Sequence, residues 1–239
     1  MYLLLLLAVS VSAIVQYAGA RRTHQSPRNH QCWARKFGGR PIDNYGAWTL
    51  CADLLPDDAI VWSFGVGGDI SFELEVERFI ERSTVRSFDP TISSAAFTAL
   101  CAKSIDVRCP VFQPIGLAPE TGVLRLYRSL NPLIGSLASV PAAGYDPQPA
   151  IVANVSSLAD LLVEYGVGHL DVLKIDVEGA EFDLVESWDE LPVTQLAIEL
   201  HDRFYSDGAA RRVALKKRLA TLGFHQVHAT ADELLFLKQ

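Results

Sequence analysis

Lys174, Asp176 and Glu178 stand at alternate positions of the stretch VLKIDVEGAE, residues 172–181, whose apolar members Val172, Leu173, Ile175 and Val177 read as a short strand buried on both faces. An ionised group taken out of water costs several kcal/mol unless it is paired or used. Such charges, followed at once by Gly179, mark a strand end that opens onto a site, because in open α/β sheets ligands bind at the carboxyl ends of strands. The plainer alternative is a strand end whose charges simply reach water. The chemistry on offer is proton transfer. Partial burial raises Asp176 or Glu178 toward working pH, and Lys174 can hold a carboxylate in place. His201, at the end of a later apolar run, is either a base whose ordinary pKa lies near neutrality or a solvated strand-end histidine.

A second constellation lies upstream. The apolar run from Ile60 to Phe64 leads into Gly65, Val66, Gly67, Gly68 and Asp69, and glycines belong where backbone turns tightly or admits a ligand. The spacing predicts a helix over 71–81, with Ser71 as its N-cap and Glu73 and Glu75 in an acidic first turn. Val85 to Phe88 form the next strand, which ends in Asp89-Pro90. Asp89 thus sits about twenty residues past the glycines, where a ribose-binding carboxylate belongs. This order serves NAD, FAD or S-adenosylmethionine alike, and a glycine-rich turn alone often only joins a strand to a helix.

The elements that must position these groups alternate along the rest of the chain. Helices are predicted over 93–103, 157–165, 180–188 and 209–222, and strands over 107–112, 123–127 and 195–200, an α/β pattern. Residues 129–149, rich in Pro, Gly, Ser and Ala without an amphipathic period, read as a lid or substrate loop, or else a surface loop. The tail offers strands over 224–228 and 233–237 joined by a short polar turn, which makes them antiparallel.

Taken together, WSFGVGGDISFE (62–73), SFDPT (87–91), VLKIDVEGAEFDLVESW (172–188) and LAIELH (196–201) resemble the FkbM-type S-adenosylmethionine-dependent methyltransferases, in particular their eukaryotic methyltransferase-like branch with an N-terminal hydrophobic segment. The likeness runs from Cys32 to the C-terminus. It implies a Rossmann-like class I methyltransferase fold, α/β, with a mainly parallel seven-stranded sheet and a C-terminal antiparallel hairpin. By the same resemblance S-adenosylmethionine is the cofactor, held by the turn of Gly65, Gly67 and Asp69 and by Asp89 on its ribose hydroxyls. Asp176 and Glu178 then lie near the transferred methyl group, with Glu199 and His201 at the same rim, and the acceptor is a hydroxyl of a small molecule or glycan. Asn131, Pro132, Gly135 and Ser136 stand near a segment that covers the active site in the resembling family. The chain departs from the family at Ser63 and Phe64, where an acidic residue usually precedes the first glycine. Two other classes stay in play: a nicotinamide-dependent oxidoreductase, which leaves KIDVEGAE and the terminal hairpin unexplained, and a catalytically inactive luminal binding module.

Composition narrows the partners. A net charge of −7 argues against wholesale phosphate binding, since nucleic-acid readers carry a basic face. The one basic cluster, Arg211, Arg212, Lys216, Lys217 and Arg218, is spaced around Val213, Leu215 and Leu219 as the solvated face of an amphipathic helix. Residues 1–20 begin almost wholly apolar, with five consecutive leucines, and read as a cleavable signal peptide ending at Ala20 or as a membrane anchor. Residues 21–55 form a cap segment and 56–239 the enzyme domain. Cys32, Cys51, Cys101 and Cys109 suit two disulfides in an oxidising compartment, or four reduced thiols in the cytosol. The absence of a CxxC pair argues against zinc. The sequon at Asn154, placed on a loop ahead of a helix, points with the paired cysteines to the secretory lumen or exterior. A divalent cation on Asp176, Glu178 and Glu199, as in catechol-type O-methyltransferases, is a minor alternative to a metal-free site.

Overall fold

The structure, a computed structural model, describes residues 32–39, 46–104, 106–130, 137–142 and 144–239. The expected leader lies outside the described residues, as do Asn131, Pro132, Gly135 and Ser136. Among the described residues the first elements are an antiparallel ribbon, β1 (Ala34–Phe37) and β2 (Trp48–Cys51). There follow β3 (Ile60–Phe64), α1 (Ser71–Phe79), β4 (Thr84–Phe88), α2 (Ser94–Cys101) and β5 (Val111–Gln113). A small sheet then interrupts the alternation: β6 (Gly116–Leu117), β7 (Gly122–Ser129), β8 (Leu137–Ala138) and β9 (Tyr145–Ser156). Alternation resumes with α3 (Leu158–Glu164), β10 (Leu170–Ile175), α4 (Glu181–Ser187), β11 (Val193–Glu199), α5 (Gly208–Thr221), β12 (Phe224–Ala229) and β13 (Glu233–Lys238). Among the described residues no helix is long and apolar enough to cross a membrane.

The main sheet has seven strands in the order β12-β13-β11-β10-β3-β4-β5, all parallel to their neighbours except β13, which runs antiparallel between β11 and β12. Every residue of β10 is buried. That follows from its central place: the face bearing Leu173 and Ile175 packs under α3, α4 and α5, and the face bearing Val172 packs under α1 and the β1–β2 ribbon. Full burial of such aliphatic side chains contributes roughly 1.5–3 kcal/mol each. The register aligns Ile175 with Phe64 of β3 and Ile198 of β11. The carboxyl ends of these strands are therefore level, and Gly65, Asp176 and Glu199 emerge side by side.

Both pairs of cysteines are bridged, Cys32 to Cys51 and Cys101 to Cys109, and no described cysteine is free. The first bridge closes the ribbon, which joins the core: Phe37, Trp48 and Leu50 pack with Val61, Phe72 and Leu235.

Three expectations change. Ser71 is not the N-cap of α1. Its backbone N–H donates to Asp69 Oδ1 at 2.9 Å, and its hydroxyl instead accepts from Gly39 N at 2.8 Å. The described part of the expected lid, 129–149, is partly sheet, because β9 begins at Tyr145 and pairs along β7. Pro147 and Pro149 hid this from sequence periodicity, since a proline removes a ladder donor, and the register shifts beside Pro149. Asn154 accordingly sits exposed within β9, opposite Val123, and not on a loop.

Candidate active site

The glycine turn after β3 is built on close backbone approach. A Cβ on Gly65, whose φ is +74°, would lie 1.5 Å from the Asp176 carbonyl oxygen. Only glycine lets the ends of β3 and β10 meet there. Gly65 N–H donates to Phe88 O at 2.9 Å and Asp176 N–H to Phe64 O at 3.0 Å, so the two strand ends are tied in place. Gly67 also has positive φ, +52°, but a Cβ there or on Gly68 would meet nothing within 4 Å. Those two glycines face open space.

That space is a cavity of about 580 Å³, a typical size for a cofactor or ligand site. The glycine turn and the Asp89–Ile92 segment line one side, Asp176 to Glu178 another, and Leu117, Leu124 and Leu126 of the small sheet a third. Asp69 and Asp89 both line it. The structure adds a bracing role to Asp89: Oδ2 accepts Gly67 N–H at 2.8 Å, and Oδ1 accepts Thr91 N–H at 2.7 Å and the Thr91 hydroxyl at 2.5 Å. A carboxylate offers about four acceptor sites. Most of Asp89 is thus spent on holding the turn, which leaves less for a ribose than its sequence position suggested.

Lys174 makes its hydrogen bond to backbone. It was expected to hold a carboxylate, yet its Nζ donates to Gly65 O at 2.9 Å and lies 4.7 Å from the centre of the Trp48 ring. The side chain points to the ribbon face of the sheet, where Ser63 is its register partner and the Ser63 hydroxyl donates to Glu73 Oε1 at 2.5 Å. Glu73 is fully buried, and its pKa is raised by burial against the opposing pull of Lys174 and the Ser63 hydrogen bond. The acidic group missing before the first glycine is replaced nearby by this carboxyl from α1.

On the cavity side, the turn after β10 is held from four directions. Glu178 has φ +51° and Gly179 φ +110°, conformations that cost energy in a non-glycine residue and persist where the surroundings enforce them. Ser139 donates to Glu178 O from its N–H at 2.9 Å and its hydroxyl at 3.1 Å. Gly179 N–H donates to both oxygens of Glu181 at 3.1 Å, and the Tyr205 hydroxyl donates to Gly179 O at 2.6 Å. Glu181 is fully buried, and its Oε1 accepts from His201 Nδ1 at 2.7 Å. His201 is 1 % exposed, and its Nε2 lies 3.2 Å from Glu178, 3.7 Å from Glu199 and 3.8 Å from Asp176 carboxylate oxygens.

These distances set the electrostatics. Burial lowers the His201 pKa, but the hydrogen bond it donates to Glu181 and the negative fields of Glu181, Glu178 and Asp176 outweigh it and carry it up to about 9. Burial and the neighbouring Asp176 raise Glu199 to about 7 against the pull of His201. Asp176 is raised as well, by burial, although Lys174 and His201 oppose this. An imidazole kept protonated at neutral pH cannot take a proton. With its Nε2 within 4 Å of three carboxylates and its Nδ1 on Glu181, His201 is placed as the positive partner of this acidic cluster. Ligand atoms of Asp176, Glu199 and His201 also lie within 4.8 Å of one another, a donor set a divalent cation could use only with His201 deprotonated at Nε2, with His201 where the sequence reading had Glu178.

Glu181, Tyr205 and Ser139 were not picked out as site residues from sequence. Glu181 carried a signal, since a carboxylate three residues past Glu178 in the same motif is another charge in a buried stretch. Tyr205 and Ser139 carried none, because only the fold brings them to Gly179.

A mainly parallel seven-stranded sheet with an antiparallel terminal hairpin, opening at its carboxyl ends onto a glycine turn and an acidic cavity, is the Rossmann-like methyltransferase architecture. Residues 115–234, half of the chain, match the family described as Methyltransferase FkbM domain, and the chain belongs to that family. It is an S-adenosylmethionine-dependent methyltransferase, as the resemblance implied. No match is found among curated proteins. Among solved structures, the Methanococcus jannaschii fibrillarin pre-rRNA processing protein is 12 % identical over 77 % of this chain, with a TM-score of 0.41, and the chain spans 66 % of its length. A fibrillarin/Nop5p complex is 10 % identical over 77 % of this chain and 74 % of that one, with a TM-score of 0.42.

Proposed function

We propose that this methyltransferase acts on a hydroxyl group of a small molecule or glycan, with Glu178 or Asp176 accepting the proton. The observation that carries this reading is the convergence of Asp176 and Glu178 on the cavity wall beside the glycine turn, both drawn toward the buried His201. The residues suit the cofactor: Gly67 and Gly68 present a face with no side chain, and Asp69, Asp89, Asp176 and Glu178 surround the space with negative charge. When bound, S-adenosylmethionine supplies a cationic sulfonium whose methyl group is open to displacement by an oxygen nucleophile. The chain's part is to align the acceptor, which carries most of the rate in such a transfer, and to remove its proton. A carboxylate raised by burial is a better base than one in water. His201, protonated and anchored on Glu181, fixes the Glu178 side chain and offsets the charge of its neighbours.

The test is Asp176→Asn and Glu178→Gln, with cofactor affinity measured by calorimetry and turnover by labelled methyl transfer to an acceptor found in a metabolite-extract screen. Cofactor affinity should stay within a few-fold while turnover falls by about a hundredfold or more, the scale of a lost general base. Undiminished turnover in both variants would remove the carboxylates from the chemistry.

The reading extends to the compartment. Two disulfides suit an oxidising environment, the exposed Asn154 is open to glycosylation, and the apolar N-terminal segment reads as a leader or anchor. These features support a protein of the secretory pathway.

A further inference from the structure

Strand β7 forms the outer wall of the cavity and grades from apolar to charged. Period two along a strand places alternate residues on one face, and Leu124, Leu126 and Arg128 all line the cavity, as does Leu137, the register partner of Arg128 on β8. Leu126 is buried and Arg128 exposed. The strand therefore runs outward along the cavity to a guanidinium at its mouth.

Arg128 stands out in two ways. Among the described residues that line the cavity it is the sole cation, facing Asp69, Asp89, Asp176 and Glu178. It pairs with none of them. Seven other described arginines form ion pairs with Asp or Glu, and Arg86 and Arg203 lie over aromatic rings. Only Arg125 and Arg128 do neither among the described residues, and only Arg128 of these lines the cavity. A guanidinium offers five donors in a planar fork that fits an oxyanion with two parallel hydrogen bonds. The carboxylates opposite have other neighbours: Asp89 accepts from Gly67 and Thr91, Asp69 accepts from Ser71, and Asp176 and Glu178 lie beside His201.

We infer that the methyl acceptor carries an oxyanion, a carboxylate or a phosphate, bound by Arg128 at the mouth of the cavity, with its apolar part against Leu124 and Leu126 and its hydroxyl toward Asp176 and Glu178. This inference rests on the hydroxyl-methyltransferase reading above and narrows its substrate class. Net repulsion from the acidic floor turns the anion outward to the one cation, which fixes the orientation of the acceptor as well as its charge.

The test needs no turnover. The full chain, loaded with S-adenosylhomocysteine, is titrated calorimetrically with two matched pairs of probes: salicylate against salicyl alcohol, and glucose 6-phosphate against glucose. The anionic member of at least one pair should bind about tenfold more tightly than its neutral partner, the scale of one charge-assisted pair, and the difference should shrink with salt. Whichever pair shows the preference identifies the oxyanion. Arg128→Gln should abolish the preference and Arg128→Lys keep part of it, both with the parent's melting temperature and affinity for S-adenosylmethionine. Equal or absent binding within both pairs, or a preference that survives in Arg128→Gln, overturns the inference. So does a loss of cofactor affinity in that variant, which would assign Arg128 to the cofactor's own carboxylate. Failure of the methyltransferase reading would appear separately, as absent label transfer in Glu178→Gln and parent alike.

Discussion

Gly65 and Gly67 share a turn and a positive φ but differ in what surrounds them, and this separates fold from function residue by residue. In Gly65→Ala the new methyl group would collide with the Asp176 backbone at 1.5 Å, so two strand ends must part. Several kcal/mol of destabilisation is expected, about 2–4 °C in melting temperature for each kcal/mol at this size. In Gly67→Ala the methyl group enters open space, and only the left-handed backbone is strained, by roughly 1–2 kcal/mol. That variant should fold and lose affinity for S-adenosylmethionine. Thermal melts with calorimetry decide the matter, and equal melting temperatures would remove the structural distinction. Glu73 offers a test in pH. Its folded pKa is raised above the ordinary value of 4.5 by burial. The stability it contributes is therefore fully present below that value and is lost as pH rises through the folded pKa. Glu73→Gln should escape this loss, so its stability relative to the parent should climb as pH rises above 4.5 toward the raised folded pKa. A flat difference across that range would mean that the carboxyl is ionised at little cost.

At the scale of elements, the β1–β2 ribbon is bound to the sheet by two devices. The Cys32–Cys51 bridge closes the ribbon across 19 residues. The fully buried Gln195 of β11 accepts Cys51 N–H on Oε1 at 2.8 Å and donates from Nε2 to Cys51 O at 3.0 Å. Replacing both cysteines by serine should cost about 3 kcal/mol, the usual effect of opening a loop of this length. Gln195→Leu strands a buried donor and a buried acceptor, at roughly 1–3 kcal/mol each. Urea unfolding measures both, and an unchanged midpoint in Gln195→Leu would show that water replaces the amide. Because Trp48 of this ribbon covers Lys174, which in turn holds Gly65, both changes should also weaken cofactor binding. The basic face of α5 is tied down in a similar way, since Arg211 bonds to Asp207 and Arg212 to Asp202.

For the whole molecule, the secretory reading predicts a mature chain that begins at Arg21 and carries glycan on Asn154. N-terminal sequencing of protein from a eukaryotic secretory host, with an endoglycosidase mobility shift, checks both. An intact, unglycosylated cytosolic product would return the leader and the sequon to chance. How much of this molecule the sequence declares depends on the range of the interactions involved. The run VLKI announced β10, because a central parallel strand is apolar on both faces, and the short turn at Ala231 and Asp232 announced an antiparallel end, because so few residues cannot make a crossover. The charges of KIDVEGAE marked the site for the same local reason: they stand where burial forbids them without a purpose. Partnerships were not legible. Lys174 meets Gly65 across 109 residues and His201 meets Glu181 across 20, and which carboxylate a charge faces depends on strand register and helix placement. Composition and periodicity thus determined the central strands β3, β4, β10 and β11, the terminal hairpin, the glycine turn and the acidic strand end, but not the β1–β2 ribbon or β9. Only the tertiary structure decided that Lys174 clamps a turn, that His201 sits among four carboxylates and that β7 walls the cavity, because each depends on contacts between segments distant in the chain.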